Sequence, residues 1–172
     1  MKLIIMFLVL SVAISAQGKT LQDINYKVIV PDEWEIEAAR INKGTWVSKS
    51  PTSTAVCNFS SESNTLQKYS NSQIYNDLKA YHLKSSFYKK QLETTYGQNF
   101  INMKSEIIIA NSEATLKAVF AFYKRAKTLK SYQHIIYGRG ITGTVTCGAE
   151  IREYQSNEAV FKRIARSFIN IY

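Results

Sequence analysis

The sequence predicts an α+β domain: a single antiparallel β-sheet of about six to seven strands flanked by two α-helices, one on each face, in an αβα sandwich. Three observations lead there. Strands come first, then an amphipathic helix, then four closely spaced strands, then a second amphipathic helix; a parallel crossover would need a dozen or more residues between strands. The four-strand segment carries apolar residues on both alternations, with Leu116, Ala118, Phe120 and Phe122 on one side and Val119, Ala121 and Tyr123 on the other. A sheet with one wet face alternates cleanly, so each face should lie under a helix. Finally, 172 residues with 45% hydrophobic, 20% charged and 12% aromatic content suit one globular domain and exclude a disordered, collagen-like or multi-span membrane chain. Two prolines and seven glycines leave little for a linker, so no second domain is expected.

Residues 1–16 read as a secretory signal peptide. Lys2 gives a short positive start, and the apolar stretch Leu3 to Ile14 is twelve residues long, against about 20 for a membrane-spanning helix. Ser15-Ala16-Gln17-Gly18 supplies the small residues of a cleavage site, which argues against an uncleaved anchor. No cysteine stands there to carry a lipid. The folded domain is therefore expected over 17–172. The net charge of +9 includes Lys2, so removing the peptide leaves +8.

Ile24 to Val30 is β-branched and ends at Pro31, whose nitrogen cannot join a ladder. Trp34 to Arg40 resumes as a strand, Asn42-Lys43-Gly44 turns into Thr45 to Ser48, and Thr54 to Ser60 follows Pro51. The polar run Ser60 to Asn64 reads as loop. From Ser70 to about Glu93, Ile74, Leu78, Tyr81, Tyr88 and Leu92 recur at helical spacing, with Ser70 and Gln73 placed as a capping box. Past Gly97 come the four strands Phe100 to Ala110, Ala114 to Arg125, Ser131 to Arg139 and Ile141 to Ile151. A last helix, Ser156 to Ile169, sets Val160, Phe161, Ile164 and Phe168 on one face.

The opening Tyr26-Lys27-Val28-Ile29-Val30-Pro31-Asp32-Glu33-Trp34 and the closing Phe161-Lys162-Arg163-Ile164-Ala165-Arg166-Ser167-Phe168 resemble the superfamily of the photosystem II extrinsic protein P (PsbP) and the Mog-type Ran-binding proteins, with its secreted bacterial relatives. The likeness in layout covers nearly all of the expected mature chain. It implies the same sheet-and-helix fold. Its roles are diverse, from photosystem assembly and small-GTPase binding to envelope proteins and secretion-effector chaperones, and no catalytic residues carry over.

Gly138-Arg139-Gly140-Ile141-Thr142-Gly143 matches the dinucleotide fingerprint in letters only. That motif needs a helix after its third glycine to hold a pyrophosphate, and the β-branched Thr144-Val145-Thr146 predicts a strand instead. The glycines then serve a hairpin or bulge with positive φ. Around Cys57 the alternation brings Ala55 and Phe59 to its side, and around Cys147 it brings Val145, Ala149 and Ile151. An exported chain favours one disulfide closing a 90-residue loop, while two buried free thiols pack equally well, and both states stay open. Such inward thiols do not suit a Cys-His nucleophile or a metal centre built on His82 or His134. Glu33, Glu35 and Glu37 share one side of an early strand as a solvated edge rather than an acid/base pair.

Basic residues gather around the first helix at Lys68, Lys79, Lys84, Lys89 and Lys90, and more sharply along a strand and hairpin tip that carries Lys117 and then, with no acid between them, Lys124, Arg125, Lys127 and Lys130. These four are the candidate partner-binding residues, suited to an acidic protein or an anionic membrane surface, although a solvated turn has the same composition. Export disfavours nucleic acid. No cofactor, metal or catalytic residue is expected. The reading is an exported non-enzymatic binding or accessory module, periplasmic or extracellular; an immunity or chaperone protein for a secreted toxin and a small-ligand carrier are the alternatives.

Overall fold

Ten strands and two α-helices follow one another among the residues that the computed structural model describes: 18–39, 45–82, 90, 94, 101–110, 113–124, 127–138 and 140–171. In chain order they are β1 (Gly18–Gln22), β2 (Tyr26–Pro31), β3 (Glu35–Ala38), β4 (Trp46–Lys49), β5 (Val56–Ser63), α1 (Asn71–His82), β6 (Ile101–Ala110), β7 (Glu113–Lys124), β8 (Lys127–Tyr137), β9 (Ile141–Glu150), α2 (Ile151–Ser167) and β10 (Ile169–Asn170). The expected signal peptide lies outside the described residues.

The single sheet of the sequence reading is corrected to two. A seven-stranded sheet runs in the order β3-β4-β5-β9-β8-β7-β6, and a separate three-stranded one runs β1-β2-β10. All pairings are antiparallel. The second sheet escapes a local reading because its outer members have no strand signature. Gly18–Gln22 does not alternate, and β10 is two residues long; both exist because β2 offers a partner on each side. Where β10 stops, the Ser167 hydroxyl takes over and accepts the Ile29 N–H at 2.9 Å.

Three boundaries also move, for tertiary reasons; β8 starts at Lys127 rather than Ser131, because Lys127 to Lys130 pair with Lys124 to Ala121 of β7. The polar run Ser60 to Ser63 is strand, not loop, because it pairs with Thr144, Gly143, Thr142 and Ile141 of β9. Helix α2 begins at Ile151, directly from β9, rather than at Ser156. Its start is fixed from β5's approach: the Glu153 carboxylate accepts from the Thr54 N–H at 2.7 Å and from the Thr54 hydroxyl, which in turn accepts the Glu150 N–H at 3.0 Å. An acid in the first helical turn also meets the positive end of the helix dipole. In α1 the sequence signal holds, with the Ser70 N–H donating to Gln73 Oε1 at 2.8 Å and the Gln73 N–H to Ser70 Oγ at 3.3 Å, a reciprocal capping box.

The core lies where α2 and the small sheet pack on one face of the large sheet. Ala55, Cys57 and Phe59 of β5, Tyr132 and Ile136 of β8, and Val145, Cys147 and Ala149 of β9 meet Tyr154, Phe161, Ile164 and Ala165 of α2. From the small sheet come Tyr26, Val28 and Val30, with Trp34 and Phe168 closing the ends. Polar links tie the sheets together: Tyr26 Oη donates to the Phe59 carbonyl at 3.2 Å, Asn25 Nδ2 to Ser61 Oγ at 3.2 Å, and Trp46 Nε1 to Asp23 Oδ2 at 2.6 Å. Helix α1 lies against β6 and β7, and its buried Ile74 and Leu78 stand apart from this cluster.

One glycine is demanded by this packing. Gly143 of β9 lies under the Phe168 ring and the Asn170 side chain, both of which a Cβ would overlap. Gly143→Ala is therefore expected to cost about 1–3 kcal/mol through overpacking. Urea unfolding of the variant reads this directly, and an unchanged midpoint would mean the C-terminal crossing is not seated on β9.

Candidate binding site

Strand alternation that turns Cys57, Phe59, Val145 and Cys147 toward α2 sets Val56, Asn58, Thr146 and Gly148 on the opposite face of β5 and β9. There the sheet carries a cleft of about 260 Å³. Val56 and Leu129 form apolar walls, and Thr54, Asn58, Ser131 and Thr146 supply hydroxyls and an amide. Gly148 makes the room: a Cβ on it would meet Ser131 Oγ at 2.7 Å. Thr146 is oriented by Gln133, whose Nε2 donates to its hydroxyl at 3.1 Å. None of the lining residues is ionisable, so what the cleft offers is hydrogen-bonding groups and shape rather than charge.

Leu129 brings the start of β8 into the cleft wall. The β7–β8 ladder closes with Lys124 opposite Lys127, two residues before the wall residue Leu129. Of the four candidate basic residues, Arg125 lies outside the described residues. Lys130 is separated from the others: positions 127 and 130 have opposite parity in β8, and the Lys130 ammonium sits 4.3 Å from the centre of the Tyr154 ring of α2. That is cation–π distance. Lys130 also belongs to the charge environment of α2, where the Glu158 carboxyl is held below its ordinary value, first by the hydrogen bond from Lys162 and, more weakly, by Lys130. Burial, reinforced by the Glu158 charge, pushes the Tyr154 phenol well above its usual range and keeps it neutral beneath the lysine.

Cys57 and Cys147 are directly opposite in the β5–β9 ladder, with Cα atoms 4.0 Å apart, and are joined as a disulfide. Both are fully buried. Bonded sulfur is no nucleophile, and His134, buried in β8 beside Tyr132, is a wall of the fold; the side chain of His82 lies outside the described residues. Among the described residues there is no group of three or more His, Cys, Asp and Glu able to hold a metal ion. Glu35 and Glu37 lie on β3, an outer strand of the large sheet, with Glu37 paired to Lys49, while Glu33 sits in the preceding turn. Among the same residues, no helix is long and apolar enough to cross a membrane.

The glycine-rich motif is a hairpin. Gly138 donates to the Ile141 carbonyl at 3.0 Å, Gly140 has φ +92°, and β9 follows where a nucleotide fold would place a helix. Its anchor, Asn64, was not evident from periodicity. Asn64 Nδ2 donates to the Gly138 carbonyl and to Thr142 Oγ1, both at 2.9 Å, while its Oδ1 accepts from the Gly140 and Leu66 amides. The cleft did have a sequence signal, threonine at every second position in Thr142-Gly143-Thr144-Val145-Thr146, which marks a polar face.

No family model matches the chain, and no curated protein matches its sequence. Solved structures match its shape. Cyanobacterial PsbP (CyanoP) of Synechocystis sp. PCC 6803 superposes with a TM-score of 0.65 at 9% identity, covering 91% of this chain and 94% of that one. LpqN of Mycobacterium tuberculosis, described as involved in cell envelope biogenesis, gives 0.54 at 11% identity, covering 91% of each chain. PA94 of Pseudomonas aeruginosa, a protein of unknown function, gives 0.54 at 15%, covering 90% and 98%. At these identities the likeness establishes the fold, and the fold is PsbP-like.

Proposed function

We propose that the chain is an exported, non-enzymatic accessory module that binds an acidic segment of a protein partner across the cleft face of its large sheet. The observation that supports this reading is the position of the cleft: neutral hydrogen-bonding side chains line it, and its wall residue Leu129 follows two residues after Lys127, which pairs with Lys124 in the β7–β8 ladder. Hydroxyls and amides can receive a partner's backbone and carboxylates while the hairpin charges steer the encounter. A buried disulfide suits an oxidising compartment, which supports export. The involvement of LpqN in cell envelope biogenesis agrees with such a setting. The hairpin's function is assigned to Lys124, Arg125 and Lys127; Lys130 serves α2 instead.

Fluorescence anisotropy with a labelled glutamate-rich peptide tests the proposal. Saturable binding is expected, weakening with salt, and Lys124→Gln/Arg125→Gln/Lys127→Gln should lower affinity about tenfold. Lys130→Met should bind like the parent. Equal binding by the triple variant, or binding to anionic vesicles in place of the peptide, would remove the model.

A further inference from the structure

The two ends of the large sheet are built differently. At one end β3 has four residues and carries Glu35 and Glu37, both exposed, the short charged form that keeps a sheet edge from recruiting another strand. At the other end β6 has ten residues, Ile101-Asn102-Met103-Lys104-Ser105-Glu106-Ile107-Ile108-Ile109-Ala110, and among the described residues it pairs on one side only, with β7. Three consecutive isoleucines and two charges of opposite sign make this a long apolar edge, the kind that accepts a further strand.

We propose that this edge pairs with the same edge of a second copy, antiparallel about a two-fold axis at Ser105. The pattern of the strand selects both partner and register. A two-fold perpendicular to the sheet keeps equivalent faces together, so opposed residues must have the same parity. With the axis at Ser105, Lys104 stands opposite Glu106 of the second copy, and the symmetry repeats that pair. The regular pairing about this axis runs over Lys104, Ser105 and Glu106, and Ile107 to Ala110 extend past it alongside the irregular start of the other copy's strand. The neighbouring axis of the same kind, at Glu106, would set two glutamates against each other and Lys104 against Ile108. Opposite charges facing across strands stabilise the pairing and like charges destabilise it, so the first register wins. The register shift between Asn102 and Lys104 leaves the ladder regular from Lys104 to Ala110, which contains the charged centre of the junction. The two seven-stranded sheets would then run continuously through the dimer.

Sedimentation equilibrium of the purified exported chain across the micromolar range tests this, with far-UV circular dichroism to verify each variant's fold. A concentration-dependent dimer is expected. Lys104→Glu or Glu106→Lys alone turns two attractive pairs into repulsive ones and should weaken association about tenfold, while the double swap Lys104→Glu/Glu106→Lys restores it. Lys104→Gln, the gentler change, should fall between parent and Lys104→Glu. A chain that stays monomeric, a dimer indifferent to the single substitutions, or a double swap no better than the singles would each overturn the proposal.

Discussion

Replacing Cys57 and Cys147 together by alanine should lower the free energy of unfolding by about 4 kcal/mol. The bridge joins β5 to β9 across 90 residues of sequence, so it closes a loop containing α1 and β6 to β8. Its main effect falls on the unfolded chain, whose freedom the cross-link restricts; the native state contributes the packing of two buried sulfurs among Ala55, Phe59, Val145 and Ala149. Against the 5–15 kcal/mol typical of a whole domain, such a loss is large. Urea unfolding of the parent and the double variant measures it. Reductant added to the folded parent should act slowly, because neither sulfur is exposed and reduction must wait for opening. A loss below about 1 kcal/mol would mean the reduced unfolded chain keeps the two strands together, contrary to the loop-entropy account.

Phe161→Ala should cost about 3–5 kcal/mol. Phe161 is fully buried at the middle of the core, edge-on to Trp34 with ring centroids 6.5 Å apart and tilted against Tyr154 at 5.6 Å. It joins α2 to the turn after β2 and to the large sheet at once, so truncation opens a cavity that three elements would have to collapse to fill. The next residue provides the control. Lys162 reaches Glu158 one turn back on the exposed side of α2, and Lys162→Ala should change stability by no more than about 0.5 kcal/mol. Thermal and urea unfolding of both variants distinguish these expectations, and comparable losses would mean that α2 is held by its surface charges.

Much of the architecture is written in local chemistry. The capping box at Ser70 and Gln73, the turn nature of Gly138 to Gly140, the closely spaced strands β6 to β9 and the apolar stripe of α2 all rest on interactions within a few residues of one another. Such signals survive in a bare sequence because periodicity and turn stereochemistry are properties of short segments. Lys130 shows the limit: its sequence neighbours make it part of a basic hairpin, yet its parity in β8 carries it to the face where Tyr154 of α2 waits. The cleft shows the same limit from the other side, since its walls come from the approach to β5, from β8 and from β9, and only pairing assembles them.

The sequence by itself determined the α+β class, the order of the central elements, the inward facing of both cysteines and the failure of the glycine motif as a nucleotide site. Tertiary structure decided that there are two sheets, that β5 continues through polar residues, that α2 starts at Ile151, and that the cysteines lie opposite each other. The physical reason is separation along the chain. Ile169 finds Lys27, and Glu153 finds Thr54, across roughly a hundred residues or more. Local propensity is silent at that range, and the partner's free edge or unpaired amide makes the choice.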